Sequence, residues 1–178
     1  PAFFRRQRQM CIRDRNRRDK LSNEASLKYF LLGSLASCIF IYGVALVYVS
    51  YSLMSVYDFA LAIAYTGPDL IPLTTFIGVL LIFVGLLFKI AAAPFQSWAP
   101  DVYQGSPTGY VGYMASVAKA ASFIVIARIC MVSIRFILED FEPFFFVVIF
   151  LSVLVGSFFA SIQTDLKRLI AYLSLIHI

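Results

Sequence analysis

Charge is scarce in this chain. Asp, Glu, Lys and Arg together make up 14% of 178 residues, against about 25% in soluble domains. Hydrophobic residues reach 61% and mean hydropathy is +0.84. A soluble enzyme is excluded, and an integral membrane protein is expected. Cysteine is scarcer still. Cys11, Cys38 and Cys130 are far apart and form no CxxC, so neither a disulfide framework nor a metal cluster is available. Cys38 and Cys130 fall in apolar runs and are expected to act as small buried hydrophobes. His177 is the single histidine. One imidazole cannot hold haem from two sides, and nothing else in the chain supports a redox centre. No glycine-rich loop of phosphate-cradling type occurs. No signal peptide is legible, because the basic N-terminal stretch lacks a following short apolar region with a cleavage site. The first residue is Pro1 rather than Met, which reads as a piece of a longer protein.

The basic charge that exists is unevenly placed. More than half of the 15 Lys and Arg residues lie between Arg5 and Lys20. No aromatic residue interleaves them there, which argues against a nucleic-acid partner. A cytoplasmic end of a membrane protein explains them more simply.

The remaining sequence divides into apolar runs long enough to cross a bilayer, roughly 20 residues each. The expected fold is all-α: a polytopic transmembrane helix bundle with four spans at 29–49, 71–98, 110–135 and 143–162, and a truncated fifth from 166. Residues 50–69 read as a short interfacial helix, with Leu53, Val56, Phe59, Ala60 and Ile63 at helical spacing. Residues 101–109 read as a turn-rich loop. The basic residues orient the bundle, placing the N-terminal end, the 101–109 loop, Lys167 and Arg168 on the cytoplasmic side. Arg135 is the misfit, and Glu139, Asp140 and Glu142 are expected to compensate it.

Two lysines stand out against this background. Lys89 is the only charged residue between Asp69 and Asp101, and Lys119 the only one between Asp101 and Arg128. An ammonium at mid-membrane costs about 2.5–3.5 kcal/mol on insertion scales, so such residues are functional by default. Pro94 follows Lys89 and must kink or break the helix there, since proline lacks an N–H and clashes one turn back. Backbone freed at membrane depth is tolerated only inside protein or beside a watery cavity. A hydrated pocket beside Lys89 is therefore expected. Snorkelling is the bland alternative, but the interface near Asp101 is roughly 18 Å away at helical rise. Lys119 shares its helix face with Gly112, Ala115, Ser116 and Ser122, a small polar stripe expected to face the bundle interior. A lysine in a desolvated site can exchange its proton near neutral pH, which is the minimum that a relay requires. Lys167 and Arg168 open the fifth span, with Asp165 near enough to pair with either; plain anchoring is the competing reading. His177 is a lesser relay candidate.

The segment FKIAAAPFQSWAPDVYQGSPT (88–108) carries a resemblance. So do NEASLKYFLLGSLAS (23–37), SVAKAASF (116–123) and QTDLKRLIAY (163–172). In this order they resemble the proton-pumping membrane subunits of respiratory NADH-quinone oxidoreductase (complex I), most nearly the subunit N branch of that antiporter-like family. The resemblance covers about 17–172. It implies that Lys89 is the lysine on a broken helix that stores or passes the pumped proton, that Lys119 is the central relay lysine of the next helix, and that Lys167 lies toward the exit. His177 falls where histidine is common. Pro94, Pro100, Asp101, Gly105 and Pro107 are implied as structural residues of the broken-helix motif. Glu24 matches a glutamate that opens a helix and is a possible ionic partner. The intramembrane glutamate that pairs with the broken-helix lysine lies upstream of it, where residues 1–4 carry no carboxylate. Gln96 stands where histidine is usual. Residues 5–15 resemble translated sequencing-adapter sequence, as does the LSLIHI end.

Three segments follow: 1–16, a non-native or disordered basic segment; 17–172, part of an antiporter-like transmembrane domain; and 173–178, a non-native end. The resemblance implies a proton-translocating subunit that couples quinone reduction to pumping. It would bind no cofactor itself, with NADH, FMN, iron–sulfur clusters and quinone held in other subunits. Its partners would be neighbouring membrane subunits, the lipid bilayer and protons. The setting would be the bacterial inner (plasma) membrane rather than an organelle. The alternatives are a subunit of a multi-subunit cation/proton antiporter, and a non-conducting anchor or assembly subunit in which both lysines are replaceable.

Overall fold

The structure, a computed structural model, describes the backbone of residues 20–53, 55–67 and 70–176. The expectations for residues 1–16 and for His177 lie outside the described residues. All regular structure among the described residues is helical. Helix α1 is Lys20–Tyr51, α2 Val56–Thr66, α3 Leu73–Ile90 and α4 Trp98–Gly105. Helix α5 runs over Thr108–Ser133, α6 over Leu138–Ile162 and α7 over Leu166–Ile176. Four of these, α1, α3, α5 and α6, are long and apolar enough to cross a membrane.

The polar ends extend the helices beyond the apolar runs. Lys28 pairs with Glu24 one turn back at 2.7 Å, which favours helix in the first turns of α1. Glu139 and Asp140 occupy the first turn of α6, where carboxylates suit the helix dipole. The connector before α3 contains α2, which Ser55 opens by accepting from the Asp58 N–H at 3.4 Å. Phe59, Ala60 and Ile63 form its buried face.

Two expectations need correction. Residues 101–105 are helix rather than loop. Pro100 and Asp101 sit in the first turn of α4, which tolerates both residues, and Trp98, Ala99, Val102 and Tyr103 form a buried face. Cys38 is exposed rather than buried. It lies on α1, whose outer face also shows Phe30 and Ile41, an apolar surface suited to lipid or neighbouring helices.

Between apolar helices in lipid, packing rather than water exclusion drives association, and small residues permit close approach. Helix α3 runs antiparallel to α1 along such a seam. A Cβ on Gly43 would stand 2.7 Å from the Gly78 carbonyl oxygen, and one on Gly85 would stand 2.7 Å from the Phe40 Cβ. A second seam joins α6 to α7 at Gly156, where a Cβ would meet Ile176 at 2.7 Å. Phe83 and Phe141 are fully buried at the centre of a cluster joining α2, α3, the end of α5 and α6. Phe76 stacks on Phe141 with ring centroids 4.5 Å apart.

Candidate functional site

Helix α3 stops one residue after Lys89. Ala91 adopts the left-handed conformation, at φ 61° and ψ 32°. Its N–H donates to the Phe88 carbonyl at 3.1 Å, and the Ala92 N–H donates to the Leu87 carbonyl at 3.0 Å. This paired closure normally uses glycine. Alanine there costs about 1 kcal/mol or more. The chain then runs without helix to Trp98, so the predicted break lies where Pro94 requires it.

Side chains from elsewhere hold the opened backbone. The Trp98 indole N–H donates to the Phe88 carbonyl at 3.1 Å, and its ring stacks on Phe88 at 5.7 Å. The Ala93 N–H donates to the Ser152 Oγ of α6 at 3.0 Å, in a buried setting. These contacts supply partners that broken backbone lacks in a membrane interior.

Lys89 sits beside the break and is exposed within this chain. Its Nζ lies 5.7 Å above the Phe40 ring centroid, within cation–π range. It lines a cleft of about 520 Å³ together with Tyr29, Ser34, Ser37, Trp98 and Ser122. Four hydroxyls and an ammonium line that cleft among apolar side chains; Ser34, Ser37 and Ser122 donate to carbonyls of their own helices, and their oxygens remain free to accept from water. Among the described residues no carboxylate pairs with Lys89.

Lys119 contrasts with it, being only 6% exposed. Its Nζ donates to the Ser174 Oγ of α7 at 2.8 Å, a residue within the end segment 173–178. Ser122, one turn on, is buried with Lys119 and lines the Lys89 cleft. The expected small stripe is only partly interior, since Gly112 and Ser116 are exposed. The reason is local. Residues Met114–Ala118 are wound as π-helix, which takes more residues per turn and shifts the following face. The sequence pattern assumed an unbroken α-helix. A second π segment, Ile129–Ser133, closes α5.

The remaining charged residues gather at the end of the bundle shared by α1, α4 and α7. Lys28 Nζ donates to Asp101 Oδ2 at 2.7 Å and pairs with Glu24 at 2.7 Å. Arg168 Nη2 donates to Asp101 Oδ1 at 2.9 Å. Asp165 pairs with neither of its sequence neighbours. It accepts from Gln104 at 2.7 Å, because Arg168 reaches back to Asp101 instead. Lys167 donates to the Ser106 carbonyl at 3.0 Å, at the end of α4, where a lysine suits the free carbonyls. Gly105 closes α4 and Pro107 precedes α5, so both sit at the joint that Lys167 holds. Arg135 makes no ion pair among the described residues. No group of three His, Cys, Asp or Glu side chains is gathered to hold a metal among the described residues.

Sequence reasoning missed Ser152, the Trp98 indole and Lys28 as partners. Lys28 carried a signal, being a lone charge at the mouth of an apolar run. The other two carried none.

A family described as NADH:quinone oxidoreductase/Mrp antiporter, transmembrane, matches residues 9–178. The NADH-quinone oxidoreductase subunit N of Mycobacterium bovis is 42% identical over 169 residues, covering 95% of this chain and 31% of that protein. Subunit N of Salinispora arenicola is 45% identical, covering 93% of this chain and 33% of that protein. Among solved structures, respiratory complex I from Thermus thermophilus with bound aureothin contains a chain at 40% identity and a TM-score of 0.69, covering 86% of this chain and 32% of that one. A membrane-bound sulfane sulfur reductase, an archaeal respiratory membrane complex, contains one at 28% identity and a TM-score of 0.77, covering 89% of this chain and 32% of that one. The chain spans about a third of the length of the curated relatives it matches.

Proposed function

The chain belongs to the NADH:quinone oxidoreductase/Mrp antiporter transmembrane family, and from that premise we propose that it is part of a proton-translocating membrane subunit of NADH-quinone oxidoreductase. Identities of 42–45% to subunit N proteins support the assignment to this branch. The observation that carries the mechanism is the break in α3 directly after Lys89, opening on a cleft with four hydroxyl side chains.

In this reading Lys89 accepts a proton from water in the cleft and holds it as an ammonium. The Phe40 ring faces that ammonium at cation–π distance. An approaching positive charge, or loss of a neighbouring negative one, lowers the lysine's proton affinity and releases the proton to water. Ser122 lines the cleft and neighbours Lys119, so protons pass toward α5 along hydroxyls and water. Lys119 receives them in a drier setting, beside the π segment. Lys167 lies on the way out. Electron transfer from NADH through FMN and iron–sulfur clusters to quinone takes place in other subunits. The protein works among neighbouring membrane subunits in the bacterial plasma membrane. Segments 1–16 and 173–178 are proposed as non-native ends.

A second reading is a multi-subunit cation/proton antiporter, since the family description spans both. Inverted vesicles lacking the full-length protein distinguish them. The first reading expects loss of NADH-driven, quinone-dependent acidification with sodium-driven proton exchange unchanged. Intact acidification with loss of sodium exchange would select the antiporter.

A further inference from the structure

We propose that Asp101 is a positioning residue for Lys89: its one carboxylate, shared by Lys28 and Arg168, clamps α4 against α1 and α7 and holds the break in α3. The consequence for pumping rests on the proposed role of Lys89; the clamp itself does not.

Helix α4 has eight residues and is joined to α3 by non-helical chain. A helix that short is not stable by itself, so its position comes from what it touches. Its apolar face reaches the break, where Trp98 bonds and stacks on Phe88, the residue before Lys89. Asp101 is three residues beyond Trp98, a helical neighbour on the same side. A displacement of α4 at Asp101 therefore moves Trp98, and with it the carbonyl next to Lys89.

The two carboxylate oxygens are used separately. Oδ2 accepts from Lys28 on α1 at 2.7 Å and Oδ1 accepts from Arg168 on α7 at 2.9 Å. Asparagine in this place offers one acceptor and turns an NH2 toward the second cation. The four charges Glu24, Lys28, Asp101 and Arg168 balance as they stand. Without the Asp101 charge, Lys28 keeps Glu24. Arg168 loses its carboxylate, and its Nε is already buried without a partner. The Asp101–Arg168 link should therefore fail first, leaving Gln104–Asp165 and Lys167–Ser106 as the remaining polar ties of α4 and its end to the start of α7.

The test uses the full-length parent complex in membranes, with native cysteines replaced and Lys89→Cys introduced. The rate of labelling by a small water-soluble methanethiosulfonate reports the geometry of the break, without reference to pumping. Asp101→Asn should raise that rate by about fivefold, the small end of what a lost ionic partner does to a two-state equilibrium. Asp101→Glu, which keeps the charge, should restore most of the original rate. Labelling at Leu70→Cys, in the connector before α3, should not change. Should Asp101→Asn fail to assemble, Arg168→Gln is read in the same way. Unchanged labelling at position 89, or an equal rise at position 70, would overturn the clamp. Labelling that responds as expected while Lys89→Ala leaves pumping intact would sustain the clamp and sink the proposed function instead.

Discussion

Lys89 and Lys119 are both charged residues in apolar helices, yet they have opposite surroundings. Lys89 faces an open cleft that carries four hydroxyl side chains; Lys119, on α5, is buried, with Ser174 of α7 as its polar neighbour. A relay needs such a difference, because a proton moves between sites that hold it differently. Ser152 and Trp98 hold the break beside Lys89. Ser152→Ala would leave the buried Ala93 N–H without its acceptor, at a cost of about 1–3 kcal/mol. A lower unfolding temperature of the purified parent complex would register this, and an unchanged one would remove Ser152 from the support of the break. Ala91→Val would place a β-branched side chain at φ 61°, which costs about 1–3 kcal/mol and should lower assembly, whereas Ala91→Gly should not. At this scale the sequence makes the lysines and Pro94 legible, because a lone charge and a proline stand out locally. Ser152 bonds across 59 residues of sequence, and no local pattern encodes such a pairing.

At the scale of elements, the four long apolar runs are legible as helices because length and hydropathy alone decide them. The break is legible for the same kind of reason. Helix α4 is not: Asp101, Gly105, Ser106 and Pro107 are turn-forming residues, and tertiary burial of Trp98, Val102 and Tyr103 makes helix of the first part. The π segments in α5 are equally hidden, since winding depends on packing. The seam between α1 and α3 predicts a specific failure. Gly43→Leu would press a side chain onto the Gly78 backbone. Overpacking of this type costs about 1–3 kcal/mol. Thermal unfolding of the parent complex, compared with Gly33→Leu in open space, measures it; equal behaviour of the two variants would contradict the seam.

Across the whole molecule, the ends of α1, α4 and α7 that carry Lys28, Asp101 and Arg168 lie together. That arrangement agrees with placing the three on one common side of the bundle. On the proposed function, this chain works as part of a larger membrane assembly. In liposomes under an imposed potential, the 178-residue chain should therefore carry no proton flux above a lipid control. Rapid flux abolished by Lys119→Ala would instead show a self-sufficient channel. The central claim is that Lys89, beside the break, handles the pumped proton. The most direct test counts protons moved per NADH oxidised by the reconstituted parent complex with Lys89→Ala and with Lys89→Arg. The account predicts fewer protons per NADH in the alanine variant at near-normal assembly, and incomplete rescue by arginine, which does not release its proton. A proton count equal to the parent's in the alanine variant would contradict it.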